Sequence, residues 1–200
     1  MTEKTITPGK VLLSLALCLM LLSAGSLFTA CKNEPKQEDT KEVAEDQNEE
    51  KFEANDAKED DSEFLVAAAE TDLMEIEIGK LAKSKSTNAN VKKFADMLIA
   101  EHTKASNDLK PFAEKQNVSL PLALTEKGKE KYDKLNEKTG KDFDQKFADM
   151  MVEGHEDAVK KMEKAAENAN DPDIKIWAAN LVPILRTHLE HAKTLKEQVK

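Results

Sequence analysis

Residues 91–112 read Val91-Lys92-Lys93-Phe94-Ala95-Asp96-Met97-Leu98-Ile99-Ala100-Glu101-His102-Thr103-Lys104-Ala105-Ser106-Asn107-Asp108-Leu109-Lys110-Pro111-Phe112, and their pattern decides the fold. Val91, Ala95, Leu98, His102, Ala105, Leu109 and Phe112 recur in alternating steps of four and three, the seam of a helix packed inside a bundle. His102 holds one place on that seam, so its imidazole is expected to point inward. Pro111 removes a backbone donor, and a kink or helix end is expected there.

The same pattern returns 53 residues later. Lys93 to Met97 recurs as Lys146-Phe147-Ala148-Asp149-Met150, and His102 and Ala105 map onto His155 and Ala158. Seven of the thirteen aligned positions are identical. Helices share an apolar period by necessity, whereas a histidine repeated at the same phase is a more specific signal. Phe147, Met151, His155, Ala158 and Met162 form the second seam.

Further helices flank these two. One is expected over 63–85, ended by the polar run Ser84 to Thr87, and the next starts near Asn88. A loop over 116–125 carries Leu120-Pro121, and a short helix follows over 126–137. Thr139-Gly140, with Asp142 three residues after Thr139, reads as a capping-box start. Asp171-Pro172 reads as an N-cap followed by proline at the first helical position. Four helices of about 22 to 28 residues would each run roughly 33 to 42 Å. Short first and last connections make antiparallel hairpins, and the longer middle one allows a crossover. The fold class is therefore all-α: an antiparallel four-helix bundle over 63–200, with a short extra helix in its central connection.

Ahead of the bundle the composition changes. Lys4 and Lys10 precede an apolar run, Val11 to Leu22, too short to span a bilayer. The approach Leu27-Phe28-Thr29-Ala30-Cys31 resembles a bacterial lipoprotein signal, with Phe28 where such signals carry leucine. Residues 1–30 are read as the signal peptide and Cys31 as the lipidated N-terminus, which would anchor the protein to a membrane of the cell envelope, expected to be the outer one. Cys18 would leave with the signal, so no disulfide within the chain is available. From Lys32 to Glu63 there are 5 lysines against 14 acids. With few apolar residues besides Val43 and Phe52, residues 31–62 are expected to be a disordered acidic tether. Neither tether nor bundle offers the basic face that nucleic acid requires.

All four histidines fall on or beside core-facing stripes. Trp177, Leu181, Ile184, His188, then His191 or Ala192, then Leu195 mark the last helix. In the first, Phe64, Ala68, Glu75, Gly79 and Ala82 share one side, with Asp72 near it. A buried carboxylate is costly without a partner, and a protonated histidine or a cation could supply one. The candidate metal ligands are Glu75, His102, His155, His188 and His191, a set suited to a transition-metal ion such as zinc, copper or nickel. Di-iron bundles place a Glu three residues before a ligating His. Ile99, Val152 and Leu185 occupy those places, so a ferroxidase-type centre is disfavoured. The plainer alternative keeps each imidazole neutral and hydrogen-bonded to Glu75, Asp72 or a backbone carbonyl. Trp177 and the methionines near the stripes read as core filling. Nucleophilic catalysis finds no Ser-His-Asp set with a Gly-rich elbow, and an enzyme is the less favoured class.

Taken together, several clusters resemble the bacterial domain of unknown function numbered 4142, a family grouped with ferritin-like folds and labelled predicted outer-membrane protein. They are Phe64-Leu65 with Ala68 to Glu75, Phe94 to Met97 leading to His102, Leu120-Pro121, Gly140 with Phe143-Asp144, His155-Glu156, and Leu181-Val182-Pro183 with His188-Leu189. The resemblance implies a ferritin-like bundle and brings no established reaction. The expected function is a binding or envelope-maintenance module, with metal storage or redox chemistry at the inward histidines, using zinc, copper, nickel or iron, as the alternative.

Overall fold

The computed structural model describes residues 38–200, which are helical with short connections. The expected signal peptide over 1–30 and the expected lipidation site Cys31 lie outside the described residues. Six helices follow in order: α1 Thr40–Phe52, α2 Asp56–Lys85, α3 Ala89–Gln116, α4 Glu126–Asn136, α5 Gly140–Asn168 and α6 Pro172–Gln198. No strand occurs among the described residues, and none of these helices is long and apolar enough to cross a membrane.

The four long helices, α2, α3, α5 and α6, form the bundle. Three-residue connections at 86–88 and 169–171 force two antiparallel hairpins, α2/α3 and α5/α6. Their docking is fixed at both ends by polar ties. Ser86 donates to Asp144 Oδ1 at 2.6 Å, joining the end of α2 to the start of α5. At the other end Asp61 of α2 accepts from the backbone N–H groups of Asn170 and Asp171 at 2.6 and 2.7 Å. Lys115 pairs with Asp173 at 2.7 Å, bringing the end of α3 to the start of α6. Hence α2 runs antiparallel to α5 and α3 to α6, while α3 and α5 run parallel. The connection over 117–139, with α4 inside it, must travel the length of the bundle to restart the chain.

Packing places α3 and α5 diagonally across the axis, each flanked by α2 and α6. The sequence echo therefore becomes contact. Phe94 meets Phe147 edge-on with centroids 6.0 Å apart, and His102 meets His155 in the same manner at 5.9 Å. Two apolar regions fill the core: one includes Ile78, Leu98, Phe147 and Leu195, and the other is built around Leu65, Leu109, Met162 and Ile174. Glu75, His102, His155 and His188 sit between them, and each of the three histidines has apolar residues about one turn away on either side of its own helix.

Residues 40–62 depart from the disordered tether expected of 31–62. Residues 40–52 form α1, and α2 begins at Asp56 rather than near 63. Only Ala44, Asn48 and Phe52 of α1 are buried, but at steps of four they make one face, which packs on α2. Asn48 donates to the Ser119 carbonyl at 3.0 Å and accepts from its N–H at 2.7 Å. Asp39 caps α1 through Lys41 N–H and also accepts from Glu126 N–H at 2.7 Å. These partners lie 70 or more residues away, so a local composition count could not register them.

Other boundaries follow the sequence with two exceptions. Pro111 neither ends nor replaces the helix, since α3 continues to Gln116. Its ring lies on the exposed face, and Ala113 beyond it is buried. Thr139 occupies the N-cap place of α5 but makes no side-chain capping bond. Gly140 follows at φ +56°, and this left-handed step turns the Thr139 hydroxyl away from the geometry a capping box needs. Asp171 caps α6 as expected, accepting from the N–H groups of Asp173 and Ile174.

Candidate metal centre

Three imidazoles meet in the bundle interior, one each from α3, α5 and α6. The ring centroids of His102, His155 and His188 lie 5.4 to 5.9 Å apart in edge-to-face pairs. One nitrogen from each falls within 4.8 Å of the other two. His155 is fully buried, and His102 and His188 are each 3% exposed. From α2, the fully buried Glu75 places Oε2 at 3.0 Å from His102 Nε2 and 3.4 Å from His155 Nε2.

Outer partners orient each ring. His102 Nδ1 lies 2.8 Å from Asp72 Oδ1, and His155 Nδ1 donates to the Met151 carbonyl at 2.8 Å. His188 Nε2 lies 2.5 Å from Glu101 Oε2. A neutral imidazole has one N–H and one lone pair. With each N–H committed outward, His102 Nε2, His155 Nε2 and His188 Nδ1 are left as inward acceptors. With the rings neutral, those three nitrogens and both Glu75 oxygens are the buried side-chain polar atoms that lack a hydrogen bond among the described residues, and a proton on His102 Nε2 would pair it with Glu75 Oε2 at 3.0 Å. Buried polar atoms rarely stay unpaired, and here all five belong to one cluster of acceptors. A cation satisfies such a set, and no additional hydrogen-bond acceptor would.

Space for the carboxylate comes from α5. A Cβ built on Gly154 would stand 3.3 Å from Glu75 Oε1, so a bare backbone faces the acid there.

Charge within the cluster is strongly coupled. Burial pulls His102 down, but the Glu75 charge and the hydrogen bonds to Asp72 and Glu75 prevail and raise its pKa to about 10. Burial pushes Glu75 up, yet attraction to the three histidines, His102 foremost, holds it below the usual carboxylate range. For Asp72 burial wins over the His102 contact and raises its pKa. Burial also lowers His188 against its hydrogen bond to Glu101, favouring the neutral ring. Without a metal, His102 is thus the imidazolium that balances Glu75.

The structure brings together Glu75, His102, His155 and His188, and leaves His191 out. His191 is exposed because Ala192, fully buried, takes the core place after His188. Ile184 likewise faces outward at 47% exposure, while Leu185 is buried. Glu101 belongs to the site in a manner its sequence position concealed. It points away from its neighbour His102 and reaches His188 on the adjoining helix. Gly154 was equally silent in the sequence, as its role depends on Glu75 lying opposite.

The chain belongs to the family described as a domain of unknown function, DUF4142, whose model matches residues 46–195. No curated protein matches it. A solved structure described as "CopM in the Cu(II)-bound form" is similar with a TM-score of 0.59. It covers 70% of this chain and 97% of its own, at 16% identity, so the likeness concerns the fold.

Proposed function

We propose that this protein binds one transition-metal ion through His102 Nε2, His155 Nε2 and His188 Nδ1, with Glu75 supplying negative charge and a further oxygen donor. The cluster of five buried, unpaired acceptors carries the reading. Each ligating ring has an outer partner of the kind that metal-bound histidines have, namely a carboxylate or a backbone carbonyl. Three nitrogens with one carboxylate suit copper, zinc or nickel better than hard cations, which prefer oxygen ligands. The structural relative carries copper, as its description states. A bound ion would supply Lewis acidity, and in the case of copper electron transfer; the chain itself orients the donors and excludes bulk water. Handling of a metal in the cell envelope, with Cys31 as the lipid anchor, is the role we infer.

Elemental analysis of protein purified without chelator tests this, together with melting curves before and after addition of copper, zinc or nickel. One equivalent of metal and a raised melting temperature are expected, both lost in His155→Ala. Substoichiometric metal with unmoved melting would reject the centre and leave His102 as a structural imidazolium between Asp72 and Glu75.

A further inference from the structure

A cavity of about 520 Å³ opens beside the histidine cluster, walled by residues of all four bundle helices. Close packing leaves few voids in protein interiors, and this one lies in the size range of small-molecule sites. Alanines make the room: Ala67 and Ala68 of α2, Ala105 of α3 and Ala158 of α5 stand where larger side chains would fill the core. Trp177 and Leu181 supply much of the opposite apolar wall, and His102 and His188 are among its buried polar lining.

A small recess of about 40 Å³ adjoins it, sharing Thr71, Ala158 and Lys161. Lys127, Lys131 and Lys161 line the recess against Glu70 and Asp157, leaving one positive charge in excess. Thr125 donates to Glu70 at 3.3 Å, and Asp157 lies 3.9 Å from Lys160. None of the three recess lysines makes an ion pair among the described residues. At the other rim Lys104 and Asp108 pair with each other, and Glu101 bonds His188. A net positive charge therefore stands at one mouth of an apolar chamber, and carboxylates gather round the histidines within.

We infer that the cavity binds a single-chain amphiphile with an anionic head, its tail among the alanines, Trp177 and Leu181, and its head at Lys127, Lys131 and Lys161. Apolar voids bind apolar matter readily. The lysines select the sign of the head and its end of the cavity, since an anionic head near Asp72, Glu75 and Glu101 would be repelled. This site does not depend on a metal.

Trp177 is the chain's single tryptophan and lines the cavity wall, so its emission reports occupancy. The full chain, stripped with chelator, is titrated with decanoate, decanol and decyltrimethylammonium. Decanoate should change the emission saturably and bind tightest, with the quaternary ammonium weakest. Lys131→Glu combined with Lys161→Glu should weaken decanoate about tenfold and spare decanol, and Ala105→Phe should block both. His155→Ala should still bind decanoate, separating failure here from failure of the metal centre. The inference is overturned if decanoate gives no saturable change, if the cationic amphiphile binds as tightly, or if reversing Lys131 and Lys161 leaves decanoate affinity unaltered. The lysine variants decide the matter even if Ala105→Phe does not fold.

Discussion

Asp72 and Gly154 show how single residues set the properties of the cluster without contributing a ligand. Asp72 fixes the orientation of His102 through Nδ1 at 2.8 Å and helps to hold its proton. Asp72→Asn keeps the shape and removes the charge. Metal affinity measured by competition with a chromophoric chelator should fall about 10- to 100-fold, the usual range for an outer partner of a ligating histidine. Gly154→Ala has two opposed effects. Alanine in mid-helix gains up to about 1 kcal/mol over glycine, while its methyl presses on Glu75 Oε1. Metal-free protein should therefore denature at equal or higher urea, and metal binding should weaken. A variant that loses stability and keeps full affinity would show that Glu75 does not rely on the gap opposite it.

Among the elements, the start of α6 is the most dependent on a distant partner. Asp61 of α2, 3% exposed, holds the N–H groups of Asn170 and Asp171, which α6 cannot satisfy itself. Asp61→Ala strands those donors and should cost about 2–3 kcal/mol in a urea titration. A loss under 0.5 kcal/mol (roughly the size of an ordinary surface change) would show that water replaces the carboxylate. Helix legibility divides along the same line. The seams of α3 and α5 were readable because their apolar places repeat along the local sequence, and the two histidines came with them. α1 was not, because its three buried residues gain their partners from α2 and the 117–126 connection. The α6 stripe leaves either His191 or Ala192 for the place after His188. In the fold, Ala192 takes the core position, and the face that His191 shares with His188 is its outer margin. Glu101 required knowledge of which helix stands beside α3, and periodicity does not carry that.

For the whole molecule, the ionisable cluster couples stability to pH. In metal-free protein the folded pKa of His102, about 10, lies above its ordinary 6.5. Its contribution is complete below 6.5 and drains as pH rises through 10. Glu75 is held below its ordinary 4.5, so its contribution is complete above 4.5 and lost as pH falls through the depressed folded value. Asp72, raised above 3.8, acts in the opposite sense and subtracts stability once it ionises. His188, held below its ordinary 6.5, subtracts stability as pH falls below that value. With it, metal-free melting temperature should peak near pH 6.5 and decline toward pH 10. A metal ion must displace the His102 proton. The metal-induced rise in melting temperature should therefore grow from pH 5 to pH 8, and calorimetric binding heats should vary with the ionisation enthalpy of the buffer. Heats that are the same in every buffer would exclude proton displacement.

The division of donors between the two hairpins has a kinetic consequence. α2 and α3 bring Glu75, Asp72 and His102, and α5 and α6 bring His155 and His188, so neither half alone can clasp an ion. Each hairpin is built from contacts near in sequence and should form early, whereas their mutual docking must await closure of the long crossover. A captured ion would then act as a late-fastening rivet, slowing separation of the halves far more than it hastens their approach.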